Sequence, residues 1–190
     1  MVTDLLNQLI TISENCNAKV KVIVCDMGNT KLLKELKVYK THHYYFLNPC
    51  DPSRRIYIVT CIPHCFKNLR NNILDYKLVY KSPSGKEVTL DKSVFERLIH
   101  DDSELGDLRL CPKVGEVHVM VQGHDRQRVK LATQLLSDTV AKALTTLYKD
   151  EYSDQAQLIS FFDKFFDVMD SRTTNHWKRE KFGFGKLLCL

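Results

Sequence analysis

Lys19-Val20-Lys21-Val22-Ile23-Val24-Cys25-Asp26-Met27-Gly28-Asn29-Thr30 is the stretch whose reading decides the fold class. Its first seven residues are rich in β-branched side chains and nearly continuously apolar at the end, which predicts a strand covered on both faces. Asp26 closes the run. Met27-Gly28-Asn29-Thr30 is turn chemistry with an N-cap candidate, and Leu32, Leu33 and Leu36 then share one face of a short helix. A strand, a turn and a helix in succession point to an α/β fold.

Upstream, Leu5, Leu6, Leu9, Ile10 and Ile12 recur at helical spacing until Asn15-Cys16-Asn17 stops the helix. Downstream, Thr41 to Arg54 contain His42, His43 and two prolines without a period and read as a loop, followed by a strand over Ile56–Cys61. Pro63 sits in the first turn of a helix that places Phe66, Leu69, Ile73 and Leu74 inward and Lys67, Arg70, Asn71 and Asn72 outward. Beyond Tyr76, Lys77–Lys81 and Lys86–Leu90 flank Ser82-Pro83-Ser84-Gly85, a hairpin signature.

The remainder reads as helical. Asp91 caps a helix with Val94, Phe95, Leu98 and Ile99 on its inner face. Val129, Leu131, Leu135, Leu136, Val140, Ala143, Leu144 and Leu147 define one long amphipathic helix, and Leu158 to Met169 a third with a wide apolar face that should be largely buried. The expected class is therefore α/β plus α: residues 1–75 an α/β portion, residues 76–190 a mainly helical portion with a small hairpin.

A chain of 190 residues with 44% hydrophobic and 27% charged residues can bury a sizeable core as one domain or two small ones. A formal charge of +5 suits phosphate-bearing partners without singling out nucleic acid. Seven scattered cysteines, Cys16, Cys25, Cys50, Cys61, Cys65, Cys111 and Cys189, favour reduced thiols over a disulfide framework. No secretory signal or apolar run of membrane-spanning length is legible, so an intracellular protein without a membrane partner is expected.

Asp26, where a strand emerges into a turn, is the place where α/β folds present metal-binding or catalytic carboxylates. A two-metal nuclease needs several such groups, and one Asp does not suffice. Cys61-Ile62-Pro63-His64-Cys65 holds three soft ligands but lacks the second pair that zinc sites use. Neither a P-loop nor Gly-x-Gly-x-x-Gly is present, so composition and spacing suggest no nucleotide site. The basic residues Lys67, Arg70, Lys77, Lys81 and Lys86, and Arg126, Arg128 and Lys130, read as solvated faces, and Lys178-Arg179-Glu180-Lys181 between Trp177 and Phe182 as a tail.

Val22 to Thr30 with its leucine helix resembles the strand and turn of P-element and THAP-domain transposases, which read roughly V-V-C-D-G-x-x-x-N. Ile62-Pro63-His64-Cys65-Phe66-Lys67-Asn68-Leu69-Arg70-Asn71-Asn72 is similar to that family's D-P-P-H-L-L-K-N-L-R-N segment. Arg128–Ser137 and Phe162–Arg172 resemble segments of its insertion domain, in the same order, so the likeness covers nearly the whole chain.

The resemblance implies an incomplete ribonuclease-H-like core carrying a metal-dependent D-D-E site, in residues 1–75, followed by a helical GTP-binding insertion in residues 76–190. Asp26 matches the second catalytic carboxylate and metal ligand, with the first Asp and the Glu expected outside the chain. The nucleotide contacts carry over to Lys113, Arg128, Val129, Ser137, Phe166, Asp167 and Asp170. Asp167 would accept from the two N–H donors of guanine's Watson–Crick edge, Phe166 would stack, and basic side chains would face phosphates. On periodicity alone, Asp167 and Asp170 are the polar edge of a buried helix.

Three departures bear on activity. Cys61 replaces the Asp of D-P-P-H, Asp170 an Asn, and Arg128 a Lys. The expectation is a truncated or domesticated relative that keeps GTP and DNA binding, with Mg²⁺ by resemblance, resides in the nucleus, and lacks cleavage and strand transfer. The alternatives are part of an active transposase completed by flanking sequence or by association with a longer transposase or a second copy, and a relic that binds neither ligand. A truncated sheet would expose an edge and apolar surface, favouring self-association.

Overall fold

The computed structural model describes residues 2–26, 28, 30–38, 44–82 and 85–170. Met27, Asn29, His42, His43, Pro83, Ser84, the Ser171-Arg172 end of the last matching segment, the basic tail and Cys189 lie outside the described residues. The chain divides into two compact units, residues 1–65 and 66–190.

The first unit contains α1 (Val2–Asn15), β1 (Val22–Cys25), α2 (Thr30–Glu35), β2 (Tyr45–Asn48) and β3 (Asp51–Thr60). The three strands form one sheet in the order β1-β3-β2, β1 parallel to β3 with Val22 opposite Tyr57, and β2 antiparallel to β3. The strand and the helix expected on either side of Asp26 are therefore present. The stretch read as a loop is corrected: Tyr44 to Arg54 is mostly a hairpin. Asn48 accepts the Cys50 N–H through Oδ1 at 2.8 Å and so builds the turn. Pro52 lies where the register slips and below the part of β3 that pairs with β1, so its missing N–H breaks no ladder bond there.

Glu14 ties α1 to this hairpin. Its Oε1 accepts from Val20 N at 3.0 Å and Asn48 Nδ2 at 2.9 Å, and its Oε2 from Arg54 Nη2 at 2.6 Å. The Arg54 guanidinium, with these further donors, holds the Glu14 carboxyl below its ordinary range. The expected cover on both faces of β1 is also corrected, since Val22 and Val24 are exposed, as are Leu5, Leu9 and Ile12 on α1.

Helix α3 (Ile62–Asp75) carries the chain from the first unit into the second, with Pro63 in its first turn as the sequence predicts. The second unit continues with the hairpin β4 (Leu78–Lys81) and β5 (Glu87–Leu90), then α4 (Lys92–Ser103), three short 3-10 turns at Gly106–Leu108, Glu116–His118 and Gly123–Gln127, α5 (Val129–Leu135), α6 (Asp138–Tyr148) and α7 (Ser153–Met169). Asp91 caps α4 by accepting from Ser93 N at 2.9 Å. Leu90, Phe95, Leu98, Leu135, Leu136, Val140, Leu144 and Ile159 are fully enclosed. Each such side chain contributes roughly 1.5–3 kcal/mol of transfer free energy, which holds the helices around the hairpin.

Three expectations for this unit change. The single long helix is two, because Ser137 leaves helical geometry at φ −102°, ψ 156° and caps α6. Helix α7 is less buried than its composition suggests, with Phe161 and Phe165 exposed in a stacked pair. Arg70, read as outward, is fully enclosed, and Lys67 is buried. Arg70 Nη2 donates to the carbonyls of Asp125 at 3.2 Å and Arg126 at 2.9 Å, which makes the inward rotamer affordable. Arg126 in turn pairs its two terminal nitrogens with Asp75.

Candidate nucleotide cleft

Between the loop after α4 and the junction of α5 with α6 lies a cleft of about 460 Å³, lined by Leu110–Val114 on one side and Thr133, Gln134, Ser137 and Thr139 on the other. Its volume falls in the range of small-ligand sites. Lys113, exposed, supplies a cation at one wall. The opposite wall contains the N-terminus of α6, where backbone N–H groups and the helix dipole favour an anion. Ser137 Oγ accepts from Val140 N at 3.4 Å and donates to the Gln134 carbonyl at 2.8 Å. It is thus the cap of α6 and a lining residue of the cleft at once.

Two buried polar groups sit behind the walls. Asp102, 1% exposed, accepts from Arg109, Leu110 and Cys111 and anchors the lysine-bearing loop. His118, 4% exposed, meets the Gly115 N–H and carbonyl through Nδ1, both at 3.2 Å, and the Gln134 side-chain amide through Nε2 at 3.1 Å. Gln134 lines the cleft while its side-chain amide rests on His118. Cys111 is enclosed on the loop wall, and burial, followed by the Asp102 charge, pushes its thiol up to about 11.

The cleft brings together Lys113 and Ser137, two of the seven expected nucleotide contacts. Arg128 instead pairs with Asp125 at 3.0 Å, and Val129 opens α5. Phe166 meets Phe66 edge-on at 4.6 Å between ring centroids. Asp167 lies on the last turn of α7 and Asp170 caps its C-terminus, both half-buried. None of these five lines the cleft. Gln134, Thr133 and Thr139 are lining residues that sequence reasoning missed. Their polarity beside Leu131 and Leu135 is an ordinary helix-edge pattern and gave no signal. Asp102 did leave one: it continues the buried stripe of Val94, Phe95, Leu98 and Ile99, where a carboxylate needs partners.

In the first unit, Asp26 is exposed at the end of β1, with Oδ1 accepting from Gly28 N at 2.8 Å. Among the described residues no three His, Cys, Asp or Glu side chains converge to hold a metal ion. Cys61 and His64 meet at 3.0 Å between Sγ and Nδ1, a two-residue contact. The six cysteines among the described residues are free thiols. No helix among those residues is long and apolar enough to cross a membrane.

With the fold and cleft in view, residues 63–181 match the family described as the TNP-like, GTP-binding insertion domain. The chain belongs to that family. It is 30% identical over 176 residues to the transposable element P transposase of Drosophila melanogaster, an alignment covering 89% of this chain and 22% of that protein. It also superimposes on a chain of the Drosophila P element transposase strand transfer complex with a TM-score of 0.80 and 29% identity, covering 94% of this chain and 41% of that one. The chain thus spans about a fifth of the length of the curated relative it matches. The resemblance to P-element transposases is established, and the mixed α/β and helical architecture agrees with it.

Proposed function

We propose that the helical unit binds a guanine nucleotide at the Lys113–Ser137 cleft and that the chain acts within a transposase-type assembly without cutting DNA alone. The observation that carries this reading is the meeting of Lys113 and Ser137, far apart in sequence, across one cleft at the N-terminus of α6. The lining suits a nucleotide: Lys113 and the helix N-terminus face phosphate charge, and the polar side chains of Gln134, Thr133 and Thr139 line the cleft beside them. Arg128, Val129, Phe166, Asp167 and Asp170 complete the proposed site by resemblance, with Asp167 reading guanine.

For the first unit the proposal is part of a ribonuclease-H-like core, with residues 1–75 as the core portion and 76–190 as the insertion. The pairing of parallel β1 and β3 with a carboxylate at the end of β1 supports it. Asp26 alone cannot clamp both the attacking and leaving oxygens of a phosphodiester, and Cys61 is a poor ligand for Mg²⁺, so no chemical step is assigned to a metal here. DNA contact, assembly with further transposase chains and residence in the nucleus follow from the family and belong to the same proposal.

Calorimetric titration of the chain with GTP and Mg²⁺, with ATP as control and Asp167→Ala as the variant, tests the reading. Saturable, GTP-selective heat that the substitution abolishes is the expected result. A folded sample that gives no heat, or equal heat with ATP, would sink it.

A further inference from the structure

The loop wall of the cleft is wrapped around an ion pair between the buried Asp102 and the half-buried Arg109. Asp102, on the last turn of α4, accepts from Arg109 Nε at 3.0 Å and Leu110 N at 2.6 Å, and from Cys111 N at 3.2 and 3.3 Å through its two oxygens. Arg109 then reaches forward through Nη2 to the carbonyls of Val114 at 2.6 Å and Cys111 at 3.3 Å. One carboxylate and one guanidinium therefore hold both ends of Leu110–Val114, the segment that forms one wall and carries Lys113.

An ion pair with a buried carboxylate is poor evidence of stabilisation, because desolvation of the carboxylate offsets much of the attraction. What this pair supplies is geometry. Within the segment one turn bond, Val114 N to the Cys111 carbonyl at 2.9 Å, sets the local bend around Pro112, and the pair fixes where that turn stands relative to α4. We infer that Asp102 is a positioning residue of the nucleotide site: through Arg109 and the amides of Leu110 and Cys111 it fixes the loop so that Lys113 stands at the cleft. This rests on the nucleotide reading above, and Asp102 itself touches no ligand.

A double-substitution cycle on the full chain tests it, using GTP titration of the wild type, Asp102→Asn, Lys113→Ala and the double variant. Lys113→Ala should weaken binding about tenfold or more, as loss of a charge-assisted contact does. Asp102→Asn should weaken it comparably, and the double variant should bind no worse than Lys113→Ala alone, because a mislaid lysine and an absent one are equivalent. Amide exchange at Leu110 and Cys111 should quicken in Asp102→Asn. If that variant does not fold, Arg109→Lys, which keeps the charge but loses the fork, replaces it in the cycle.

Wild-type affinity in Asp102→Asn, or losses that simply add in the double variant, would overturn the positioning role while leaving nucleotide binding intact. Absence of GTP binding by the folded wild type would overturn the nucleotide reading and this inference with it, and the wild-type trace alone distinguishes that case.

Discussion

Cys111 shares its surroundings with the Asp102–Arg109 pair, and its thiol is held protonated to about pH 11 against an ordinary value of 9.0. A thiol whose folded-state pKa is raised contributes stability that is complete below its unfolded pKa and lost as pH rises through the folded value. The window is pH 9 to 11, and the shift corresponds to roughly 2–3 kcal/mol. Urea unfolding at pH 8 and pH 10.5 should show the wild type losing more stability across this interval than Cys111→Ala; equal losses would refute the assignment. Cys111 could be read as a buried hydrophobe from its apolar neighbours. The inward turn of Arg70 could not, because its partners Asp125 and Arg126 are backbone carbonyls more than fifty positions away, and carbonyls carry no side-chain signature. The same holds for Gln134, whose meaning depends on His118 behind it.

Periodicity identified α3, α4 and the β4–β5 hairpin, because each has a cap, a proline or a turn written into adjacent residues. It failed between α5 and α6, where Leu135, Leu136 and Val140 keep the apolar stripe in step while Ser137 breaks the backbone. Hydrophobic spacing reports which side chains are inside and is silent about a cap that both helices share. It failed again at β2–β3, where two prolines outweighed the apolar alternation, although the register slip accommodates one of them. The α6–α7 connection has its own weak point. Lys149 adopts φ 48°, ψ −115°, a conformation glycine tolerates far better than a residue with a Cβ, and its backbone N–H closes α6 onto Thr145 O at 3.0 Å. Lys149→Gly should raise unfolding free energy by about 0.5–1 kcal/mol, read from the urea midpoint; a decrease would mean that the strain is balanced by contacts of the lysine side chain.

At the scale of the molecule, the two compact units differ in how well they cover their apolar surface. The second encloses most of its large side chains, whereas the first leaves Leu5, Leu9 and Ile12 on α1 and Val22 and Val24 on an edge strand exposed. An edge strand and an unmatched apolar helix face favour association. Sedimentation velocity should show concentration-dependent self-association that Leu9→Lys together with Val24→Lys suppresses; a monomer at all concentrations would contradict this. The seven expected nucleotide contacts were legible only through family likeness. Chain geometry gathers Lys113 and Ser137 at the cleft, and the other five lie on elements whose placement depends on how α5 and α7 pack, which spacing along the chain does not encode.

The cap at Ser137 also bears on anything that enters the cleft. A hydroxyl has one proton, and this one is given to the Gln134 carbonyl, while one lone pair takes the Val140 N–H. The cap itself uses only a lone pair, so α6 stays capped whether the Ser137 proton rests on the Gln134 carbonyl or turns toward a ligand oxygen. With the proton on Gln134 it can accept from a sugar hydroxyl or a ring N–H, and with the proton turned outward it can donate to a phosphate oxygen. Entry of a ligand on that wall therefore need not fray the helix that forms it, whichever partner the hydroxyl proton takes.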